Sequence, residues 1–67
     1  MKFGTVKYWQ AAKGFGFVTT DDDEDLFLHV DDLAINLRPE HVREGLRVKF
    51  DVKNDIRGDK AVNVRKA

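Results

Sequence analysis

The sequence has no cysteine, a single proline and no apolar run longer than about four residues. The absence of cysteine excludes a disulfide framework and a thiolate metal site. The short apolar runs exclude a membrane-spanning helix, and the start of the chain lacks the apolar stretch of a signal peptide. We therefore expect a soluble, cytoplasmic protein with no membrane partner.

Net charge is absent as well, since 12 basic residues balance 12 acidic ones. This balance argues against a protein that holds nucleic acid by charge alone. Residues 1–18 contain three lysines and no acid, residues 19–40 contain eight acids and one arginine, and residues 41–67 contain eight bases and four acids. A chain of 67 residues has room for one domain only. We therefore predict a single domain over residues 1–67, with a small core.

Apolar and polar residues alternate over several short segments, which is the two-residue period of β-strands. Leu46, Val48, Phe50 and Val52 alternate with charged residues in this way. The same pattern puts Val62 and Val64 on one face of a later strand. We predict five strands, near residues 2–10, 14–20, 25–30, 46–54 and 60–66.

The connections have recognisable turn chemistry. Gly14 ends the first connection, residues 21–24 form a polar turn, and residues 54–58 form a five-residue hairpin loop. In the long connection over residues 31–45, Asp31 or Asp32 caps a helical turn through residues 33–35. Pro39 bars a long helix there, so only a short one over residues 39–44 is possible.

Five antiparallel strands and one long connection in so few residues favour an all-β protein with a closed barrel. The five-stranded member of this class is the OB-fold. An open sheet or an SH3-like barrel fits the same strand pattern.

The second and third strands carry apolar residues on both faces. Val18, Leu26, Leu28 and Val30 occupy even positions and form the expected core face. The odd positions should be polar, yet they hold Lys13, Phe15, Phe17, Phe27 and His29. Neighbouring side chains on one face of a sheet lie about 5 Å apart. The pattern therefore predicts an exposed aromatic patch beside a cation, of the kind that marks a binding surface.

Base stacking is the chemistry that fits such a patch. Every base has a π-face, so an aromatic surface binds single strands with little sequence preference, while lysines hold the backbone. The opposing interpretation is a sheet buried on both sides, with the phenylalanines in a core. A chain of this length has too little material to cover both faces.

These residues resemble the cold-shock domain family. The run Lys13-Gly14-Phe15-Gly16-Phe17-Val18 resembles its first ribonucleoprotein motif, and Leu26-Phe27-Leu28-His29 resembles its second. The run Gly4-Thr5-Val6-Lys7-Tyr8-Trp9 is similar to its first strand. Shorter matches at 44–45 and 61–64 extend the resemblance over essentially the whole chain.

The resemblance implies a five-stranded antiparallel OB-fold barrel that binds single-stranded RNA and DNA as an RNA chaperone. We expect no cofactor, no metal and no small-molecule substrate. The contact set that it implies is Lys7, Tyr8, Lys13, Phe15, Phe17, Phe27 and His29, with Trp9 and Gln10 as additional members. We expect the protein to act as a monomer.

The chain departs from the family pattern at several positions. Tyr8-Trp9-Gln10 stands where the family usually has Trp-Phe-Asn, and Val30 stands where many members have an aromatic residue. Strict alternation puts Tyr8 on the core side with Val6, so display of Tyr8 requires a bend or bulge. Arg38 could stack on a base in place of a missing loop aromatic, although a solvated arginine fits as well. We expect weaker binding than in a member with the full aromatic set.

Other kinds of site fit less well. Asp21, Asp23, Asp25 and Asp32 have the spacing of calcium ligands, but Leu26 replaces the glycine that such a loop requires. No nucleophile with a positioned base is visible, so we predict that the protein is not an enzyme. The rival function is a protein-interaction module that docks a partner on the same apolar face.

Overall fold

The computed structural model describes residues 1–56 and 58–67 and contains five strands. They are β1 (Lys2–Gln10), β2 (Phe15–Thr20), β3 (Asp25–His29), β4 (Arg47–Asp55) and β5 (Gly58–Lys66). They form one closed barrel in the order β1-β2-β3-β5-β4. The all-β class and the closed five-stranded barrel of the OB type are confirmed, and most predicted strand ends agree within one residue. No helix among the described residues is long and apolar enough to span a membrane.

The barrel closes through a parallel pair, so the prediction of antiparallel strands throughout was wrong at this point. Phe27 on β3 pairs in parallel with Lys60 on β5. A parallel bridge between Leu33 and Val64 lies next to it. The long connection between β3 and β4 allows this arrangement, because parallel neighbours need a crossover rather than a hairpin.

The connection between β4 and β5 is shorter than predicted. The antiparallel ladder continues through the pairs Asn54–Asp59 and Asp55–Gly58. The predicted five-residue loop over residues 54–58 was therefore wrong at both ends, because Asn54, Asp55 and Gly58 pair as strand. Arg57, within that prediction, lies outside the described residues.

The long connection contains two short 3-10 turns, at Val30–Asp32 and Pro39–His41. The predicted turn through residues 33–35 was wrong. His29 caps the first turn, since its Nδ1 accepts a hydrogen bond from the Asp31 N–H at 3.1 Å. The turn therefore begins before Asp31, and Leu33 is free to pair with Val64.

The core is built from the even positions of β2 and β3 and from one face of β4. Val18, Leu28, Val48 and Phe50 are fully buried. On β4, the predicted buried face is confirmed as far as Phe50. Val52 is 36% exposed, because it lies where β4 extends toward the hairpin. The structure thus confirms most of the alternation seen in the sequence.

The predicted face of β5 was wrong because of a bulge. Asn63 has a φ of 52°, and the ladder passes from the pair Lys49–Arg65 to the pair Asp51–Val62, which adds one residue on β5. An extra residue in a strand shifts all side chains beyond it to the other face. Ala61 and Val64 are consequently both buried, whereas Val62 is only half-buried.

The acidic segment is an exposed turn tied to the basic parts of the chain. Thr20 is buried, and its Oγ1 accepts hydrogen bonds from the N–H groups of Asp22 and Glu24. Both terminal nitrogens of the Arg47 guanidinium donate to the Asp21 carboxylate, at 2.8 and 3.2 Å. Opposite charges that are separate in the sequence are therefore adjacent in the barrel.

These ion pairs predict a loss of stability in acid. The Arg47 hydrogen bond holds the pKa of Asp21 below its ordinary value of 3.8, and the Lys7 hydrogen bond lowers that of Asp25. A carboxyl whose pKa is lowered by folding stabilises the folded state above its unfolded pKa and loses this effect as the pH falls through the folded pKa. We therefore expect the melting temperature to decrease as the pH is lowered below about 4.

Melting curves of the wild type and Asp21→Asn at pH 7, 5, 4 and 3 test this expectation. The variant should melt below the wild type at pH 7, and the difference should shrink toward pH 3. A difference that stays constant from pH 7 to pH 3 would contradict it.

Candidate nucleic-acid interface

A bulge at Lys7 determines which way the second half of β1 faces. Val6 pairs with Val18 in the core, but the next pair is Tyr8 with Phe17, so β1 has one residue more than β2 at this point. The extra residue moves Tyr8 away from the core side, and its side chain is 37% exposed. A bend or bulge was expected in this strand if Tyr8 is exposed, and the structure contains the bulge.

Five rings form a continuous surface on β1, β2 and β3, called here the aromatic face: Tyr8, Phe15, Phe17, Phe27 and His29. Cross-strand pairing places Phe17 opposite Phe27 and Phe15 opposite His29. The Phe27 ring lies at the centre, with centroid distances of 6.1 Å to Phe15, 5.9 Å to Phe17 and 6.2 Å to His29. Tyr8 extends the row at 6.4 Å from Phe15.

The aromatic face is only partly covered by the protein itself. Phe17 is 38% exposed, and Phe15, Phe27 and His29 are half-buried. The rings are tilted or edge-on to one another, apart from the stacked pair Phe15–Phe27. Their remaining π-faces are the kind of surface on which flat, uncharged groups stack.

Gly16 allows β1 and β2 to approach closely behind the rings. It is buried opposite Trp9, and a Cβ atom there would collide with the Tyr8 carbonyl oxygen and lie 2.9 Å from the Trp9 Cα. Only a residue without a side chain fits this position. The glycine between Phe15 and Phe17 thus fixes the spacing of the strands that carry the aromatic face.

Lys7 and Lys13, the two lysines of the predicted contact set, differ in their surroundings. The Lys7 Nζ lies 3.0 Å from the Asp25 carboxylate, which also accepts a hydrogen bond from the Thr19 hydroxyl at 2.8 Å. Lys13 is exposed in the turn after β1 and has no acidic partner among the described residues. A phosphate must therefore compete with Asp25 for Lys7, whereas Lys13 is available.

Removal of the Asp25 carboxylate should free Lys7 and strengthen binding of a single-stranded oligonucleotide. In Asp25→Asn the competing carboxylate is lost, and we expect affinity for an oligonucleotide to rise about two- to fivefold at low salt. The slope of log affinity against log salt should steepen by about 0.7, the value of one added phosphate contact on a single strand. Titrations at three salt concentrations measure both quantities.

Asp22→Asn is the matched control, because it also removes one charge and frees a lysine, Lys2, whose ammonium lies 3.6 Å from Asp22. We expect this variant to keep the wild-type salt slope. Equal changes in the two variants would show that only total charge matters and would contradict a specific role for Lys7.

The other predicted contacts are Trp9, Gln10 and Arg38, and none of them belongs to the row of rings. Trp9 is half-buried and packs against the core, and its Nε1 is buried without a partner among the described residues. Gln10 donates a hydrogen bond to the Tyr8 hydroxyl at 2.8 Å, which orients that ring. Arg38 is exposed just before the Pro39–His41 turn and makes none of the ring contacts found among the described residues.

The structure also brings together residues that the sequence analysis did not select. A groove of about 350 Å³ adjoins Phe17, Phe27 and His29. Its other walls include Lys60 and four acidic residues, Asp31, Asp32, Asp55 and Asp59. The Lys60 Nζ lies 3.4 Å from the Asp32 carboxylate. From the sequence, only Asp31 and Asp32 could be placed near the aromatic face, because they lie two and three residues after His29. The parallel pairing of β3 with β5, which adds the other groups, left no signal in the sequence.

Comparison with known proteins agrees with this geometry. The family model described as the 'Cold-shock' DNA-binding domain matches residues 2–67. The chain is 42% identical over 66 residues to the major cold shock protein of Streptococcus pyogenes serotype M1, covering 98% of this chain and 97% of that protein. It is 40% identical over 67 residues to the cold shock protein CspC of Bacillus subtilis, covering all of both chains.

A third relative, the cold shock protein CspA of Staphylococcus saprophyticus, is 43% identical over 67 residues, covering 98% of both chains. The closed five-stranded barrel defines the fold class, an OB-type domain, and the matching family is one of nucleic-acid-binding domains. Within that class, this chain belongs to the cold-shock domain family.

Proposed function

We propose that this protein binds single-stranded RNA and DNA with low sequence specificity on the aromatic face and acts as an ATP-independent RNA chaperone. The observation that carries the proposal is the row of five rings on three adjacent strands, with centroids 5.9 to 6.4 Å apart. Successive unpaired bases can stack on such a row, each contributing roughly 1–3 kcal/mol.

Phosphate contacts contribute less in this proposal than stacking does. Lys7 and Lys13 are the lysines of the predicted contact set, and Lys7 is partly neutralised by Asp25. Two full contacts correspond to a salt slope of about −1.4, which we expect of Asp25→Asn, and the slope of the wild type should be shallower by up to about 0.7 because Asp25 competes for Lys7. We propose that Trp9 and Arg38 contribute at the margins of the surface, and that a monomer in the cytoplasm carries out the function with the domain over residues 1–67.

Binding of exposed bases would disfavour RNA hairpins without an energy source, because a ligand that binds only the open form shifts the equilibrium toward that form. The proposed chaperone activity is therefore a consequence of stacking. It requires no catalytic residue and no nucleotide hydrolysis.

A hairpin RNA with a fluorophore and a quencher at its ends tests this proposal. Addition of the protein without ATP should open the hairpin in a saturable manner, and heptamers of uridine and of deoxythymidine should bind with micromolar or lower midpoints. Anisotropy of a labelled oligonucleotide is the suitable readout, because the indole of Trp9 packs against the core.

The possible outcomes separate the parts of the proposal. Binding of heptamers without opening of the hairpin would leave a single-strand binder and remove the chaperone activity. Absence of binding to both heptamers would overturn the proposal and favour a protein partner on the aromatic face.

A further inference from the structure

The groove beside Phe17, Phe27 and His29 combines stacking surfaces with hydrogen-bond acceptors. It is continuous with the aromatic face through these three rings. Among its described lining residues, four carboxylates face one ammonium. A stacked base is thus placed beside side chains that accept hydrogen bonds.

The one ammonium of the groove is already engaged. The Lys60 Nζ pairs with Asp32 at 3.4 Å, and both side chains are largely buried. This pair leaves Asp31, Asp55 and Asp59 as the acidic lining residues without a cation among the described residues. An ionised carboxylate accepts hydrogen bonds and donates none.

The groove therefore selects against a phosphate and in favour of a flat group that offers N–H donors. A phosphate would meet several like charges, which is unfavourable at short range. A base has no charge and can stack on Phe27 while its edge meets the carboxylates. Cytosine and adenine each present an exocyclic amino group, and Asp accepts a hydrogen bond from the cytosine N4 in protein–DNA complexes. Uracil has no amino group.

The position of Asp31 is set by its contact with His29. The Asp31 N–H donates to His29 Nδ1 at 3.1 Å, and the Asp31 carboxylate lies 3.6 Å from the same nitrogen. The neutral imidazole then carries its proton on Nε2, because Nδ1 acts as the acceptor. The backbone of Asp31 is thus fixed beside the stacking ring, in the turn that follows β3, while its carboxylate is 86% exposed to solvent.

We infer that this groove gives the aromatic face a preference for bases with an exocyclic amino group over uracil, through the carboxylates of Asp31 and Asp59. This inference rests on the proposed function and adds a specificity to it. Both side chains are exposed in the free protein. A net hydrogen bond between a base and a carboxylate corresponds to a preference of about three- to tenfold.

Competition between single-stranded heptamers tests the inference. One ligand is heptauridine, and the others contain a single cytidine or adenosine placed at each position in turn. We expect the best placed substitution to bind the wild type about three- to tenfold more tightly than heptauridine. In the Asp31→Asn/Asp59→Asn double variant this ratio should fall toward one, because an amide also donates to the O4 of uracil.

The ratio of affinities is the readout, because removal of negative charge will strengthen binding of every oligonucleotide. Asp23→Asn is the matched control. It removes one charge in the acidic turn, away from the groove, and its φ of 67° is one that asparagine tolerates. This control should keep the wild-type ratio. The Asp31→Asn and Asp59→Asn single variants serve if the double variant does not fold, and each should lower the ratio.

Two results would overturn the inference, and they are distinguishable. The role of the groove would be refuted if the wild type bound the substituted heptamers and heptauridine with equal affinity. It would also be refuted if the double variant kept the wild-type ratio of these affinities. Both results would leave the proposed function standing. Failure of the wild type to bind any heptamer would refute the proposed function and the inference with it.

Discussion

Replacement of Phe17 by alanine is expected to weaken binding of a single-stranded heptamer about 5- to 150-fold. The Phe17 ring is 38% exposed at the edge of the aromatic face, with its centroid 5.9 Å from that of Phe27. Loss of one base-stacking surface corresponds to roughly 1–3 kcal/mol. Since the side chain is largely outside the core, the melting temperature should change by a few degrees at most, and anisotropy titration measures the loss in affinity.

Phe3→Ala provides a matched control within the same barrel. Phe3 is 45% exposed and lies on β1, but it pairs with Lys49 on β4 and makes no ring contact with the aromatic face. The control removes the same chemical group, and we expect its affinity to stay within about twofold of the wild type. Equal losses in the two variants would show that exposed apolar surface in general carries the binding.

Replacement of Gly16 by alanine is expected to destabilise the barrel more than any change on the aromatic face. The new methyl group would meet the Tyr8 carbonyl oxygen and the Trp9 Cα, both of them backbone atoms that cannot move without breaking the β1–β2 ladder. Excess volume in a packed site costs about 1–3 kcal/mol and sometimes more. In a domain of this size, this corresponds to a drop in melting temperature of roughly 4–24 °C.

Gly45→Ala separates steric exclusion from backbone strain. Gly45 has a φ of 94°, which disfavours a side chain, but nothing lies within 4 Å of the Cβ position. Its substitution should cost about 1–2 kcal/mol, from strain alone. Thermal denaturation of the two variants gives the comparison. A smaller loss in Gly16→Ala than in Gly45→Ala would contradict the close approach of β1 and β2.

The aromatic face could be predicted from the sequence where a strand is regular. Phe15, Phe17, Phe27 and His29 occupy odd positions on β2 and β3, and the pairs between these strands run without a shift. In an unbroken pair the period of two fixes which side chains share a face. The buried residues Val18, Leu26 and Leu28 were predictable for the same reason.

The faces of β1 and β5 could not be predicted, because each strand contains a bulge. The register of β1 shifts between Val6 and Tyr8, and that of β5 shifts around Asn63. A single added residue reverses the side to which all later side chains point. Asn63 is a residue type that tolerates positive φ, but its presence in a strand does not by itself predict a bulge.

The acidic groove could not be predicted because it depends on a long-range pairing. Asp31 and Asp32 are separated by more than 25 residues from Asp59 and Lys60, and only the parallel contact between β3 and β5 brings them together. Local alternation contains no information on which strand edges meet. The sequence did show the uneven distribution of charge, and the barrel brings the acidic segment against Lys2, Lys7 and Arg47.

The central claim is that unpaired bases stack on the rings of β2 and β3. A titration of the ¹³C-labelled aromatic resonances with heptauridine tests it most directly. We predict upfield ring-current shifts for Phe15, Phe17, Phe27 and His29, while Phe3 on β1 and the buried Phe50 serve as internal controls and remain in place. Shifts confined to residues outside the aromatic face, or equal shifts at Phe3 and Phe17, would contradict the claim.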